Sequence, residues 1–279
     1  MDLEALIAQA YNLAPLPVSA ARLAGLVADP DSNLTSITEV INLDPSLTGR
    51  VLRAANSARS AARSSITTVN DAVIRLGRGT ILSIVVGSAA KKHLQCSVPA
   101  YGLSENALWR HSVAAAITAE LMGPIGRVSV PPEAFTAALL HDLGKLVLGR
   151  FLDAHTLALL RAAQSQGRLN PLEAEREILQ VNHAELGGLI AQKWGLPDSI
   201  VQGISYHHRP EESGLKICDI VCVANDIAIS TGLANMPSPI VAEDHASVYK
   251  RLELSEDTKL RIVDAVKNRF AQMMERFAK

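Results

Sequence analysis

Seven side chains that could bind a metal ion lie between residues 111 and 226 of this 279-residue sequence. They are His111, His141, Asp142, His183, His207, His208 and Asp226. Neutral imidazoles and carboxylates are ligands of divalent zinc, iron, manganese, nickel and cobalt. Five of the eight histidines belong to this set, and such a series indicates a site for a divalent transition metal. The residue types do not fix the identity of the metal.

The adjacent pair His141–Asp142 interrupts an apolar run with helical spacing, and we predict one helix over residues 131–147 that carries both. Burying two polar side chains is costly unless something compensates them, and a bound cation would compensate both. Lys145 lies one helical turn further on, where its ammonium could offset negative charge on a phosphate oxygen. The alternative for Lys145 is a solvated surface side chain.

Several motifs fall in an order that resembles the HD superfamily of metal-dependent phosphohydrolases. The resemblance rests on the order His, His-Asp, Asp and on the His-Asp-x-Gly-Lys form of residues 141–145. Five further segments narrow it to the HDOD family, the HD-related output domain: residues 13–17, 41–48, 51–57, 66–77 and 206–211. The match covers residues from about Leu13 to Glu211.

The resemblance to dinuclear HD enzymes implies two groups of ligands. His111, His141, Asp142 and Asp226 would hold one metal ion, and His183, His207 and His208 would hold the second, with Asp142 bridging the two. In such a site Asp142 and Lys145 would be the catalytic residues, because two adjacent metal ions convert a bridging water into a nucleophile that attacks phosphorus.

Two departures from the HD-GYP phosphodiesterases limit what the resemblance implies. The Gly-Tyr-Pro signature that follows the histidine pair in those enzymes is replaced here by residues 209–214, Arg-Pro-Glu-Glu-Ser-Gly. Ala107 stands where some of those enzymes have a glutamate ligand. A cyclic-dinucleotide loop and a trinuclear centre are therefore not expected.

HDOD domains are regarded as signalling or output modules without established hydrolase activity. Our leading hypothesis is thus a bacterial signal-transduction module that binds metal and acts through contacts with signalling proteins, or with a second copy as a homodimer, without turnover. The alternative is a metal-dependent phosphohydrolase that acts on a nucleotide or cyclic nucleotide. A cleft open to water above the metal site would favour the alternative.

The apolar spacing predicts an all-α fold in which an N-terminal helical bundle packs on an HD-like half. We place the boundaries at residues 1–100 for the N-terminal half, 101–233 for the metal-binding half and 234–279 for a C-terminal helical extension. Apolar residues make up 48% of the chain and aromatic residues only 4%. The core is therefore expected to consist mainly of Ala, Leu, Ile and Val.

The charge and apolar patterning indicate a cytoplasmic protein without a membrane segment. The longest apolar stretches are far shorter than a membrane span, the N-terminus lacks the pattern of a signal peptide, and three cysteines are too few for a disulfide framework. The net charge of −1 creates no field that attracts nucleic acid. A nucleic-acid site would have to use a local set of arginines: Arg50, Arg53, Arg59, Arg63, Arg75 and Arg78.

Overall fold

The computed structural model describes residues 3–57, 65–166, 169–234 and 244–278. The first helices are α1 (Leu3–Asn12), α2 (Val18–Ala28), α3 (Leu34–Asn42), α4 (Pro45–Ser57), α5 (Val69–Leu76) and α6 (Arg78–Leu94). A 3-10 turn at Pro99–Tyr101 leads to α7 (Ala107–Gly126), α8 (Ala134–Leu140), α9 (Lys145–Phe151), α10 (Ala154–Ser165) and α11 (Pro171–Leu179). The last are α12 (His183–Lys193), α13 (Asp198–Ser205), α14 (Pro210–Ser213), α15 (Lys216–Ser230), α16 (Ala246–Arg251) and α17 (Glu256–Ala278). Since the described ranges contain no strand, the all-α prediction is confirmed.

Polar side chains start several helices by accepting a backbone N–H that has no partner inside the helix. Asn33, Thr68, Asp153 and Asn170 do so for α3, α5, α10 and α11. At α12 the bonds are reciprocal: Asn182 accepts from Glu185 N, and the Glu185 side chain accepts in return from Asn182 N. This capping box fixes the start of the helix at His183.

Helices α2 to α6 form the N-terminal bundle, which packs through α6 on α7 and α8. Helix α7 lies at the centre of the second half, against α8, α15 and α17, and residues on all its sides are buried. Helix α1 packs against α9 and α12 of the second half. One continuous core runs from Leu6 to Phe270, and the three-part division at residues 100 and 233 stays a prediction.

The prediction of one helix over residues 131–147 is wrong. Helix α8 ends at Leu140 and α9 begins at Lys145, because hydrogen bonds between residues three apart turn the chain, such as Leu143 N to Leu140 O at 2.9 Å. Gly144 explains the turn: a Cβ atom there would overlap the carbonyl oxygen of His183 and lie 2.8 Å from Gly187 N. The turn thus lets this backbone lie directly on the first residues of α12.

The structure describes part of the arginine set that was considered for nucleic-acid binding. Of the six arginines, Arg59 and Arg63 lie outside the described residues, and Arg78 donates hydrogen bonds to the carbonyl oxygens of Asp29 and Ser32. No single described helix is long and apolar enough to cross a membrane, although α5 and α6 would pass that test as a pair bent by 105°.

Candidate metal centre

Four segments bring the predicted histidines together. His111 lies on the buried helix α7, and His141 and Asp142 lie on the turn between α8 and α9. His183 is the first residue of α12, fixed there by the capping box. His207 and His208 follow the end of α13. Six of the seven predicted ligands therefore meet at one place, and they fall into two groups.

The first group consists of His111, His141 and Asp142. The Nε2 atoms of the two histidines lie 3.1 Å apart. Asp142 Oδ2 lies 3.5 Å from Nε2 of His111 and 3.4 Å from Nε2 of His141. Three potential ligand atoms thus converge at separations close to those around a single ion with bonds of about 2.0–2.2 Å.

The second group consists of His183, His207 and His208. The Nε2 atoms of His183 and His208 lie 3.1 Å apart. The other carboxylate oxygen of Asp142, Oδ1, lies 3.4 Å from Nε2 of His183 and 3.9 Å from Nε2 of His207. Asp142 therefore lies between the two groups and turns one oxygen toward each.

In three of the histidines a hydrogen bond at Nδ1 leaves the other ring nitrogen, Nε2, free to act as a ligand. Nδ1 of His141 lies 2.7 Å from the Ala138 carbonyl oxygen, and Nδ1 of His207 lies 2.7 Å from that of Ile204. Nδ1 of His183 lies 2.7 Å from a carboxylate oxygen of Glu175. Because these acceptors require a proton on Nδ1, each Nε2 carries a lone pair that points into the cluster.

The cluster leaves polar atoms unsatisfied in a way that fits a cation. Asp142 Oδ1 and His207 Nε2 are both buried and find no hydrogen-bond partner among the described residues. Buried polar atoms without a partner are costly. These two atoms are acceptors on ligand-type residues that face one another, so a divalent metal ion would satisfy both.

Charge in the cluster favours the ligand forms of these side chains. Burial opposes ionisation of Asp142, but His141 and Lys145 hold the pKa of its carboxyl well below the usual value. Burial and the neighbouring histidines lower the pKa of His207 well below its usual value. Burial likewise lowers the pKa of His111 to about 3. At neutral pH Asp142 is therefore a carboxylate and His111 and His207 are neutral imidazoles, which are the forms that bind metal.

Lys145, the predicted phosphate contact, is bonded to a candidate ligand. Its Nζ donates to Asp142 Oδ2 at 2.8 Å, its side chain is only 14% exposed, and it lies 5.7 Å from the centroid of the Tyr101 ring. The alternative of a solvated surface lysine is therefore wrong. As placed, Lys145 pairs with the negative charge of Asp142.

Asp226, the seventh predicted ligand, is in neither group of the described cluster. Its Oδ2 atom lies 2.9 Å from Nδ1 of His245, just before α16. The preceding residue, Asn225, is buried and places Oδ1 3.0 Å from Nε2 of His111. The structure thus brings Asn225, which the sequence analysis missed, next to the first group.

Glu175 and Tyr101 were also missed. Glu175 lies on α11 with 2% exposure and accepts hydrogen bonds from His183. A signal for Glu175 existed in the sequence, because it shares one face of α11 with the buried Leu172 and Leu179, three and four residues away. A carboxylate on an apolar helical face indicates a buried partner. Tyr101 gave no comparable signal.

A groove of about 480 Å³ lies between α1, α12 and α13. Among the candidate ligands, His208 lines it. Two arginines on its walls are each paired with a glutamate: Arg176 with Glu185 at 3.2 Å and Arg209 with Glu212 at 3.4 Å. The groove therefore approaches the second group from the side of His208.

This geometry agrees with what comparison with known proteins shows. Residues 13–210 match the model of the HDOD domain, and the chain belongs to the HDOD family. A crystal structure of an HDOD domain protein of unknown function from Geobacter sulfurreducens is 26% identical, with a TM-score of 0.67. That similarity covers 97% of this chain and 96% of the other.

Two further relatives extend the comparison. A candidate phosphohydrolase from Shewanella amazonensis SB2B is 27% identical, with a TM-score of 0.59 over 94% of this chain and 98% of that one. An uncharacterised protein from Treponema pallidum is 27% identical over 207 residues, which cover 72% of this chain. The similar region spans only 39% of the length of the Treponema protein.

The metal-free protein is expected to lose stability as the pH falls below about 6.5, where an unfolded histidine gains a proton. The native state keeps His207 and His111 neutral in this range, because their pKa values are lowered. The unfolded state then binds more protons than the native state. Each of the two histidines therefore lowers the free energy of unfolding by roughly 1.4 kcal/mol for each unit by which the pH falls. The depressed pKa of Asp142 acts only at lower pH, below about 3.9. Urea unfolding of chelator-treated protein between about pH 7.5 and 5 would measure this loss.

Two variants separate the buried histidines from the rest. The slope of the free energy of unfolding against pH should fall by about half in His207→Gln. It should stay unchanged in His155→Gln, which alters an exposed side chain on α10. A free energy of unfolding that stays flat over this pH range would contradict the neutral state of the buried cluster.

Proposed function

We propose that this chain is a bacterial signal-transduction output module that acts through protein contacts, and that its buried histidine–aspartate cluster holds one or two divalent transition metal ions as part of the fold. The observation that carries this proposal is the burial of the candidate ligands. His111, His141, Asp142, His183 and His207 are each at most 1% exposed. Asp142, which faces both groups, is itself ion-paired with Lys145.

A bound metal ion would supply stability here, because a site of preformed ligands binds the native state and not the unfolded chain. The chain's own residues prepare this role. The Nδ1 hydrogen bonds of His141, His183 and His207 hold each ring in the ligand tautomer. Lys145 balances the charge of Asp142 from the outside. None of these functions needs an opening to water.

A metal-dependent phosphohydrolase remains the second candidate, because Asp142 turns one oxygen toward each histidine group. Two metal ions in this arrangement would supply a hydroxide near neutral pH. For this reaction Lys145 would have to leave Asp142 and bind a phosphate oxygen. A substrate could approach from the groove beside His208, and its phosphate would have to reach past that side chain.

A hydrolysis screen distinguishes the two candidates. We expect no turnover of a chromogenic phosphodiester, of nucleotides or of cyclic nucleotides by the wild-type protein loaded with manganese, zinc or iron. Steady hydrolysis that Asp142→Asn abolishes would overturn the output-module proposal. The Asp226→Asn variant is the matched control, because it makes the same chemical change at a carboxylate bonded to His245.

A further inference from the structure

A chain of hydrogen bonds joins the segment before α7 to the metal centre. The Tyr101 hydroxyl donates to Oε1 of Glu175 at 2.9 Å. Oε2 of Glu175 accepts from both the backbone N–H and Nδ1 of His183, each at 2.7 Å. Three donors from two distant segments therefore share one buried carboxylate.

The chemistry of these groups fixes the direction of every bond. Burial and the nearby Glu175 raise the pKa of Tyr101 well above its usual value, so that its hydroxyl keeps the proton and donates. Burial opposes the charge of Glu175, but the bonds from His183 keep its pKa below the usual value. An ionised, buried carboxylate needs its donors in place. Loss of any one donor therefore changes how the other two are held.

Tyr101 belongs to a compact turn that connects the N-terminal bundle to the second half. Val98 and Leu103 close this turn with backbone hydrogen bonds of 2.9 and 3.1 Å. The turn packs on α9, where Gly149 makes room for the Val98 side chain. The same turn thus touches the helix that begins with Lys145 and, through Tyr101, the carboxylate that orients His183.

We propose that Glu175 positions His183 for metal binding, and that Tyr101 couples docking of the turn at residues 98–103 to occupancy of the group formed by His183, His207 and His208. This inference rests on the proposed metal centre. A partner that orients a histidine ligand commonly changes metal affinity 10–100-fold. Because coupling between two sites is reciprocal, a bound metal ion holds the turn, and a loosened turn weakens the metal.

Zinc titration against a competing chelator tests this coupling with two variants. Tyr101→Phe should weaken zinc binding about tenfold, and Glu175→Gln by roughly 10–100-fold. Tyr101→Phe deletes a single hydroxyl and so keeps the test valid if Glu175→Gln fails to fold. Tyr249→Phe is the matched control, because its buried hydroxyl has no hydrogen-bond partner within the described part of the chain. It should bind zinc as the wild type does.

Two readouts separate coupling from a general loss of stability. Zinc should slow amide hydrogen exchange at residues 98–103 in the wild type but not in Tyr101→Phe. The rise in Tm on adding zinc should shrink in Tyr101→Phe, whereas a purely structural bond would lower the Tm of the metal-free and loaded forms equally. In a His208→Ala background, Tyr101→Phe should cause no further loss of zinc.

The possible failures can be told apart. Equal zinc affinity in Tyr101→Phe and Tyr249→Phe, or an equal fall in Tm with and without zinc, would overturn the coupling while the metal centre stands. A wild-type protein that takes up no zinc would overturn both the metal centre and the coupling. Hydrolysis by the wild type would overturn the proposed function alone, because the zinc affinities would still decide the coupling.

Discussion

Asp142→Asn is expected to abolish the stabilisation of this protein by metal while leaving its helical content unchanged. Asp142 faces both histidine groups, so one substitution removes a charged ligand from each. A metal ion at about 1,000 times its Kd would stabilise the wild type by about 4 kcal/mol. The variant should gain less than about 1 kcal/mol under the same conditions. Urea unfolding with and without metal measures this difference for each protein.

Comparing each protein with its own metal-free form matters because the substitution also leaves Lys145 without its carboxylate partner. That loss lowers the stability of both forms and cancels in the difference. Asp226→Asn should keep the full gain from metal, since the Asp226 carboxylate bonds to His245. Asn225→Ala should reduce the stabilisation by metal, because the Asn225 side chain lies beside His111 of the first group. An Asp142→Asn variant stabilised as strongly as the wild type would remove Asp142 from the site.

Gly144→Ala is expected to destabilise the protein by about 3 kcal/mol or more, the upper end for inserting one carbon into a packed interior. Its Cβ atom would overlap the carbonyl oxygen of His183 and approach Gly187 N. These are backbone atoms of α12, which cannot move aside by a side-chain rotation. Separation of the turn from α12 would also pull Asp142 away from His183. The free energy of unfolding and the metal content should therefore fall together.

Gly25→Ala is the control for Gly144→Ala. Gly25 lies within α2, where a Cβ atom would meet no described atom within 4 Å. In a helix, replacing glycine by alanine gains roughly 0.5–1 kcal/mol, so this variant should be slightly more stable. A Gly144→Ala protein as stable as the wild type would contradict the close packing of the 141–144 turn on α12.

The sequence predicts most of the fold and most of the site because the two rest on patterns within short segments. Helices begin where a cap and an apolar spacing coincide, as at Asn182 and His183. Among the candidate histidines, His141 stands out because the pair His141–Asp142 interrupts an apolar run, whereas His111 and His183 follow the polar residues Arg110 and Asn182. Their assembly into one cluster could be expected only from the resemblance to a family, since no local pattern brings α7, α12 and α13 together.

What could not be predicted depends on contacts between distant segments. The break at residues 141–144 follows from the approach of Gly144 to α12, although the apolar spacing there fits one continuous helix. Asn225 and Asp226 are adjacent on α15, a helix that is buried on most sides. Its apolar pattern therefore does not show which of the two faces His111. The bond between Tyr101 and Glu175 joins residues 74 positions apart.

Elemental analysis of the purified wild-type protein is the most direct test of the buried metal centre. We expect about one to two equivalents of a divalent transition metal per chain, lost in Asp142→Asn and kept in Asp226→Asn. Reloading of the chelator-treated protein should restore both the metal and the free energy of unfolding. A wild-type protein that contains no metal, and that gains neither metal nor stability on reloading, would contradict the existence of this centre.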